Sequence, residues 1–309
     1  MKQDSAHSLR SAKRSRELRE AISYNSMLNL DPNSANAAIV SPEVAFNSRF
    51  LNSPRIADLF LLNSKQSSHR IYLGKSLFHD FENTVSSGTR FRESGERLAL
   101  PEPWEVPRRL DDVIRLRRST DKFSGAKVSV GMAGSILYYA SGITGHALSR
   151  RAKLAVGKNV KLVAHPSAGR LLSIAPYVIS LRIKGLPSAV YEYDRNRHAL
   201  VKIAVHKRSD LFRPFRDSEF SHQRLGKAAF LVVLVAHALM VTRNYGDRGL
   251  RYLLIEAGEL AQNLHLATFA LGGASIDVGK YYDKELEDLV GIDGVATLAI
   301  HVLLVGLRK

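Results

Sequence analysis

The pattern of hydrophobic and polar positions divides the chain near Pro107. Before that point the chain is rich in Ser, Asn and Arg and contains short apolar patches such as Ile56–Leu62. Within this patch, Leu59–Leu62 fits either a helix or a strand. The prolines of Pro101–Pro107 predict an extended connector, because each proline fixes its own φ and disfavours helix in the residue before it. We therefore predict an N-terminal extension over residues 1–107 and a larger domain over residues 108–309.

Three helices are predicted after the connector. The first begins near Leu110, where Asp111 and Asp112 favour a helix N-terminus, and a second passes through Ser135–Ala140. The clearest is Leu253–Leu271, in which apolar residues recur every three or four positions until Gly272 ends the pattern.

Runs of β-branched and aromatic residues predict strands between these helices. The predicted strands are Tyr177–Ile183, a hairpin of Val190–Tyr193 and Leu200–Val205 around Asp194–Arg197, Ala229–Ala236, and Leu298–Val305. The stretch from His237 to Thr242 fits either a helix or a strand. Helices and strands do not alternate regularly, so the pattern predicts layers of the α+β class.

The composition excludes several kinds of chemistry. The chain contains no cysteine, which excludes disulfides, thiolate metal sites and cysteine nucleophiles, and we predict no metal site. Any redox reaction therefore needs a bound cofactor. The longest apolar run, Ala228–Val241, is too short to span a bilayer of about 30 Å, and residues 1–20 lack the apolar core of a secretory signal. We expect a cytoplasmic protein without a membrane partner.

The formal net charge of +16 favours either a solvated basic surface or a negatively charged partner, such as an acidic peptide or a phosphate-bearing ligand. The basic start of the chain, from Arg10 to Arg19, is interrupted by Glu17. The chain also has no zinc finger and no aromatic RNA-binding signature. We predict no nucleic-acid partner.

Three segments combine residue types that bind ligands or transfer protons. Arg115–Phe123 groups guanidinium and hydroxyl groups suited to phosphate, although such a run is also typical of a solvated face. His165–Arg170 combines a proline with small residues that allow a ligand close to the backbone, and it also fits a plain turn. Asn244–Tyr252 contains Tyr245, whose phenol is either a proton donor and acceptor or a structural side chain.

Together these segments resemble the nitroreductase superfamily, and within it the azoline dehydrogenases that mature thiazole- and oxazole-containing peptides, the group that includes the streptolysin and microcin B17 oxidases. The resemblance covers about residues 110–307. It rests on Arg117-Arg-Ser-Thr120 with Phe123, Ser141-Gly-Ile-Thr-Gly145, Pro166-Ser-Ala-Gly169, and the stretch from Asn244 to Asn263, especially Leu254-Ile-Glu-Ala-Gly258 and Ala261-Gln-Asn263.

The resemblance implies an FMN-binding α+β fold, with a central, mainly antiparallel sheet flanked by helices, in a domain-entwined homodimer. Arg117, Arg118 and Ser119 would hold the phosphate and ribityl end of FMN. Pro166, Ser167, Ala168 and Gly169 would lie at the isoalloxazine. Gly279 and Lys280 would lie near flavin N5, and Arg308 would add a phosphate contact.

One departure from the family pattern affects the predicted catalytic residues. The azoline dehydrogenases carry Lys-Tyr where this chain has Asn244-Tyr245. Asparagine is neutral and cannot act as a base. Tyr245 would then act alone or with His165, His222 or His237, or the substrate would differ from an ordinary azoline.

The resemblance implies a two-electron oxidation of a ribosomally made precursor peptide, either azoline to azole or a related backbone dehydrogenation. A cyclodehydratase of the YcaO type and a leader-binding protein are the implied partners, and residues 1–107 are expected to contact a partner or the peptide. Two other interpretations stay open: an NAD(P)H-dependent nitro- or quinone reductase, and a non-catalytic FMN-binding scaffold of a peptide-modifying complex.

Overall fold

The structure is a computed structural model that describes residues 95–148, 159–216 and 225–309, together with Phe60 and Ser64. The chain forms two compact units. One comprises Met1–Leu77 with Thr242–Arg251, and the other comprises Phe78–Val241 with Tyr252–Lys309. Within the first unit, Arg248 donates to the Ser64 carbonyl at 3.2 Å, and Arg251 donates to the Ser64 hydroxyl at 2.6 Å.

A seven-stranded sheet forms the centre of the second unit, and its recorded strand pairs are all antiparallel. Its strands, in spatial order, are β1 (Arg97–Ala99), β8 (Ala199–Val205), β7 (Ala189–Asp194), β5 (Ile174–Ser180), β9 (Phe230–Ala236), β11 (Leu298–Leu307) and β10 (Gly273–Asp277). Two smaller pairs are β2 (Val128–Ser129) with β6 (Ile183–Lys184), and β3 (Ile143–Leu148) with β4 (Asn159–Val163). The predicted α+β class with a mainly antiparallel sheet is confirmed.

Six α-helices lie within the described ranges of the chain, and the three helices predicted from the sequence are among them. They are α1 (Leu110–Leu116), α2 (Val130–Ser141), α3 (Arg208–Phe212), α4 (Ala238–Tyr245), α5 (Arg248–Ala270) and α6 (Asp283–Val290). Short 3-10 turns occur at Ala168–Arg170 and Arg213–Phe215. No helix of the described residues is long and apolar enough to cross a membrane.

Most predicted elements match the structure closely. The hairpin of β7 and β8, the strand β9 and the helix α5 are confirmed, and the ambiguous stretch after His237 is helical. The strand predicted over Tyr177–Ile183 begins earlier, at Ile174, and ends at Ser180. Apart from Phe60, the element predicted over Leu59–Leu62 lies outside the described residues.

The central strands are buried on both faces. Every residue of β5 and β9 is buried, which explains why their sequences are almost continuously apolar instead of alternating. Helix α2 is also buried nearly all round, and a stripe on α5 that includes Leu253, Leu260 and Leu264 is buried as well. These helices complete a core that the sheet alone would leave open to solvent.

The connector before residue 108 contributes to the second unit. Strand β1 pairs with β8, and the Trp104 backbone N–H donates to the Ser135 hydroxyl on α2 at 2.9 Å. The sheet therefore includes a strand that precedes the predicted boundary at residue 107. The assignment of residues 1–107 to partner or peptide contacts stays a prediction.

Candidate functional site

A buried carboxylate on α5 is bonded to the loop that contains Pro166–Gly169. Glu256 is 2% exposed. Its Oε2 accepts from the hydroxyls of Ser167 and Ser173, each at 2.8 Å, and its Oε1 accepts from the Ile174 backbone N–H at 3.2 Å. The three donors lie at both ends of the loop, so a single side chain fixes where the loop leaves and rejoins the body of the unit.

The loop between these donors has a strained backbone. Gly169, Arg170 and Leu172 have φ of +56°, +60° and +52°, and the left-handed region costs a non-glycine residue roughly 1–2 kcal/mol. The turn is closed locally by the Leu172 N–H, which donates to the Ser167 hydroxyl at 2.8 Å, and by the Arg170 N–H, which donates to the Ser167 carbonyl at 3.0 Å. Ser167 therefore links the strained turn to Glu256.

A second side chain of α5 contacts the segment just before the loop. The Asn263 amide donates to the Ala164 carbonyl at 3.1 Å. Asn263 follows Glu256 by seven positions, about two helical turns, so both side chains project from the same face. The Glu-Ala-Gly and Ala-Gln-Asn motifs of the sequence thus have a shared structural role, which is to attach the Ala164–Ile174 segment to α5.

The environment of Glu256 favours its ionised form. Burial acts to raise its pKa, but the interaction with His165 and the hydrogen bonds from Ser167 and Ser173 outweigh burial and hold the pKa below its ordinary value. The His165 imidazole is fully buried, with Nε2 3.5 Å from Oε1 of Glu256. Within the described residues its ring nitrogens have no hydrogen-bond partner.

A pocket of about 250 Å³ lies beside this loop. Its walls come from the loop and from one face of α5. The lining residues are Pro166, Ser167, Ala168, Tyr252, Ile255, Glu256 and Glu259. Three of the four predicted loop residues, Pro166, Ser167 and Ala168, therefore border this pocket, whereas Gly169 is not among its lining residues.

The predicted phosphate-binding segment lies along another edge of the unit, beside β10 and the end of β11. The Thr120 N–H donates to the Ser275 carbonyl at 3.1 Å, and Phe123 forms a β-bridge with Arg308. Arg117 donates to the Ser119 hydroxyl at 3.2 Å. The structure thus brings the Arg117–Ser119 segment and the predicted contact Arg308 to the same edge.

Neither Arg117 nor Arg118 forms an ion pair with a carboxylate in the described parts of the chain. Arg118 donates instead to the backbone carbonyls of Arg115 and Arg117, at 2.9 and 2.7 Å. Two cations and the exposed Ser119 hydroxyl therefore remain for an anionic group, and guanidinium groups suit phosphate.

The strand β10 leads into Gly279 and Lys280, two predicted cofactor residues, and both are exposed. The last residue of the strand, Asp277, is bonded to two histidines. His265 Nε2 on α5 and His301 Nε2 on β11 each lie 2.9 Å from Oδ1 of Asp277. Burial acts to raise the pKa of Asp277, but its interactions with His265 and His301 hold that pKa far below the usual range. This cluster fixes the start of the segment that contains Gly279 and Lys280.

The predicted catalytic residues Asn244 and Tyr245 lie in the last turn of α4, within the first unit, and both are half-buried. Of the three alternative bases, His222 lies outside the described residues, and the ring of His165 is buried. Burial, assisted by the nearby Arg195, lowers the pKa of His237, so its imidazole is neutral at pH 7. The catalytic assignments of Asn244 and Tyr245 stay predictions.

Sequence reasoning did not assign a role to Glu256, Asn263 or Asp277. A signal was present for Glu256: it adjoins the apolar stripe of α5 and directly precedes the buried Ala257. A charged residue in such a place is normally paired or hydrogen-bonded. For Asp277, the partners His265 and His301 are distant in sequence, and only folding brings them together.

The described part of the chain is thus an α+β protein with an antiparallel central sheet and two candidate places for a ligand, the pocket beside the loop and the edge with Arg117 and Arg118. The nitroreductase family model matches residues 114–306, which is more than half of the chain. The chain therefore belongs to the nitroreductase family, and FMN is its cofactor.

One protein is similar to this chain in sequence, and two solved structures are similar to it in fold. A Methanocaldococcus jannaschii protein described as a nitroreductase is 28% identical over 214 residues, covering 66% of this chain and 94% of the relative. A crystal structure described as a nitroreductase of Anabaena variabilis is 20% identical with a TM-score of 0.54; it covers 70% of this chain, which spans 42% of that protein. A chain of the E. coli microcin synthetase McbBCD complex, bound to a truncated precursor, is 19% identical with a TM-score of 0.52, covering 81% of this chain and 97% of that chain.

The residues present fit an FMN group. The unneutralised Arg117 and Arg118 suit its phosphate, and the small residues Ser167 and Ala168 border a pocket on a loop whose backbone is already fixed. The predicted cofactor residues thus fall at two places in one compact unit, the strained loop and the edge of β10 and β11.

Proposed function

We propose that this chain is an FMN-dependent dehydrogenase that removes two electrons from a ribosomally made peptide, converting an azoline to an azole or oxidising a related backbone bond. The observation that supports this most is the attachment of the strained loop by Glu256 and Asn263. These residues belong to the motifs by which the chain resembles the azoline dehydrogenases. The likeness to nearly the whole of a microcin synthetase chain, in a complex bound to its precursor, also supports a peptide substrate.

In this proposal each group of residues has one task. FMN, when bound, supplies the two-electron acceptor. Arg117, Arg118 and Ser119 bind its phosphate and ribityl end, with Arg308 on the adjacent strand as a further phosphate contact. The remaining predicted contacts meet the ring: Pro166, Ser167, Ala168, Gly169, Gly279 and Lys280.

Proton transfer is the task proposed for Tyr245. A phenol can act as an acid or a base, whereas Asn244 can only orient it or the substrate by hydrogen bonds. The neutral His237 is the second candidate for accepting the proton. Since the family's lysine is absent, dehydrogenation of a backbone bond is as compatible with Asn244 as azoline oxidation.

A homodimer is part of the proposal. Helix α1 exposes Leu110 and Ile114 to solvent, with 66% and 60% of each accessible, and α5 exposes Leu254 at 56%. Leu110 and Ile114 are four positions apart and share one helix face. Exposed apolar faces of this kind mark protein interfaces, and a two-fold axis would bury the same face of both copies.

Protein partners are proposed from the microcin synthetase likeness, because that structure is a multiprotein complex. The proposed partners are a cyclodehydratase of the YcaO type, which would form the azoline, and a leader-binding protein. Residues 1–107 are the proposed contact region for a partner or the peptide.

A second candidate function is an NAD(P)H-dependent nitro- or quinone reductase, which the M. jannaschii relative favours. The two functions differ in the electron donor. The reductase takes electrons from NAD(P)H, whereas the dehydrogenase takes them from the peptide. The substitution of lysine by Asn244 favours a third possibility, a non-catalytic FMN-binding scaffold.

The test uses FMN-loaded full-length protein and two donors under air: a synthetic peptide with a single thiazoline, and NADPH with a nitroaromatic acceptor. We expect the peptide to lose two hydrogens, measured by mass spectrometry, with and without an added cyclodehydratase complex. Flavin bleaching by NADPH in the absence of oxygen and acceptor, together with no peptide oxidation under air in either condition, would establish the reductase instead. A flavin-loaded protein inactive toward both donors would support the scaffold.

A further inference from the structure

Glu256 joins the loop bordering the pocket to α5, the longest helix among the described residues. The carboxylate is 2% exposed, and its three donors, Ser167, Ser173 and Ile174, come from both ends of the loop. Solvent has almost no access to these bonds, so water cannot replace them if the carboxylate is altered.

The loop needs such a support because its backbone is unfavourable by itself. Arg170 and Leu172 both adopt left-handed φ, a conformation that persists only where surrounding structure imposes it. The Ser167 hydroxyl accepts from the Leu172 N–H and donates to Glu256, so it connects the strained residues to the carboxylate in one chain of hydrogen bonds.

We propose that Glu256 is the positioning residue of the FMN-facing loop: its ionised carboxylate, acting through Ser167, holds Pro166–Gly169 in the conformation that receives the cofactor. This inference rests on the FMN contact assigned to the loop in the proposed function. Glu256 itself need not touch FMN, because its hydrogen bonds end on the loop.

The variant Glu256→Gln tests the carboxylate at nearly constant shape. In one orientation the new amide nitrogen faces the hydroxyls of Ser167 and Ser173, which donate hydrogen bonds in the wild type. In the reversed orientation the amide nitrogen faces the Ile174 N–H, which is also a donor. Either orientation leaves at least one hydrogen bond unmade. We expect the Kd for FMN to rise about tenfold or more, the change expected for loss of one charge-assisted bond.

A matched control is Glu287→Gln. Glu287 is also a buried carboxylate, 8% exposed, and its Oε1 accepts from the Ala299 N–H at 3.4 Å, but it lies on α6 and does not bond the loop. We expect this variant to bind FMN with unchanged Kd, whatever its effect on stability.

The experiment titrates apoprotein with FMN by fluorescence quenching and records the visible circular dichroism of the bound flavin at saturation. It compares wild type, Glu256→Gln, Ser167→Ala and the double variant. If Glu256 acts through Ser167, the two substitutions are not additive: Glu256→Gln adds little to Ser167→Ala, because the connecting hydroxyl is already gone. The flavin dichroism should change in Glu256→Gln and not in Glu287→Gln.

Three results would overturn the inference if Glu256→Gln folds, and a fourth applies if it does not. An unchanged Kd and dichroism in Glu256→Gln would show that the carboxylate does not position the loop. Additive effects of Glu256→Gln and Ser167→Ala would show that it does not act through Ser167. A wild-type protein that binds no FMN would overturn both the inference and the proposed function, whereas the first two results would overturn the inference alone. If Glu256→Gln does not fold, Ser167→Ala decides, since unchanged dichroism in that variant removes the proposed connection.

Discussion

The hydrogen bond from Ser173 to Glu256 offers a direct test of how strongly the loop is anchored. Ser173 is 1% exposed, and its hydroxyl donates to the ionised carboxylate at 2.8 Å. The change Ser173→Ala removes this donor and leaves space too small and enclosed for a well-bonded water. Hydrogen bonds to charged groups contribute about 1.5–3 kcal/mol each. We therefore expect the free energy of unfolding to fall by about 1.5–3 kcal/mol.

The measurement is urea-induced unfolding of the apoprotein at pH 7, followed by circular dichroism, so that a difference in FMN affinity between variants does not enter the comparison. The control is Ser209→Ala, an exposed serine on α3 whose removal should change stability by less than about 0.5 kcal/mol. A loss for Ser173→Ala no greater than that of the control would refute the argument, because it would mean that the buried carboxylate does not depend on this donor.

Four further outcomes are expected. Arg117→Ala should raise the Kd for FMN about 10- to 150-fold in a fluorescence titration, because a charge-assisted bond to the phosphate is lost; unchanged binding would remove Arg117 from the site. Tyr245→Phe should lower peptide turnover by about 10²- to 10⁴-fold with FMN still bound, and full activity of this variant would transfer the proton-transfer role to a histidine. Asn244→Lys should preserve or raise turnover if the substrate is an ordinary azoline. Because the pKa of Glu256 is lowered in the folded state, the unfolded chain takes up a proton first, so stability should fall as pH drops below the ordinary pKa of 4.5. Glu256→Gln should flatten this part of a pH–stability curve, and an equally steep loss in the variant would contradict the lowered pKa. Ile114→Lys should leave the fold intact, since Ile114 is 60% exposed, but should yield monomers in light scattering; an unaltered dimer would place the interface elsewhere.

Local sequence patterns were sufficient for much of the fold. The strand β9 could be predicted because a continuous apolar run is typical of a strand buried on both faces, and α5 because its apolar residues recur at helical spacing up to Gly272. The hairpin of β7 and β8 followed from two apolar runs around a short polar turn. These features could be predicted because residue type and spacing within one short segment indicate them, although β9 itself pairs with the distant strands β5 and β11.

The ambiguous stretch after His237 shows where such patterns stop. Its apolar residues fit both periods, and the structure makes it helical, with the His237 N–H bonded to the Ser173 carbonyl and the Leu239 N–H to the Ala296 carbonyl. Both partners are distant in sequence. Strand β5 was predicted three residues too late for a related reason, because its first residues are placed by pairing with the end of β9.

The sequence by itself determined the family, the FMN cofactor and the presence of the Glu-Ala-Gly and Ala-Gln-Asn motifs, since these depend on residue identity and spacing along the chain. Only the tertiary structure decided what the motif residues do. Glu256 bonds Ser167 across 89 positions of sequence, and Asp277 is bonded by His265 and by His301 from opposite directions along the chain. Whether a polar side chain is buried against a loop or exposed to water depends on which distant segment packs beside it, and no local pattern contains that information.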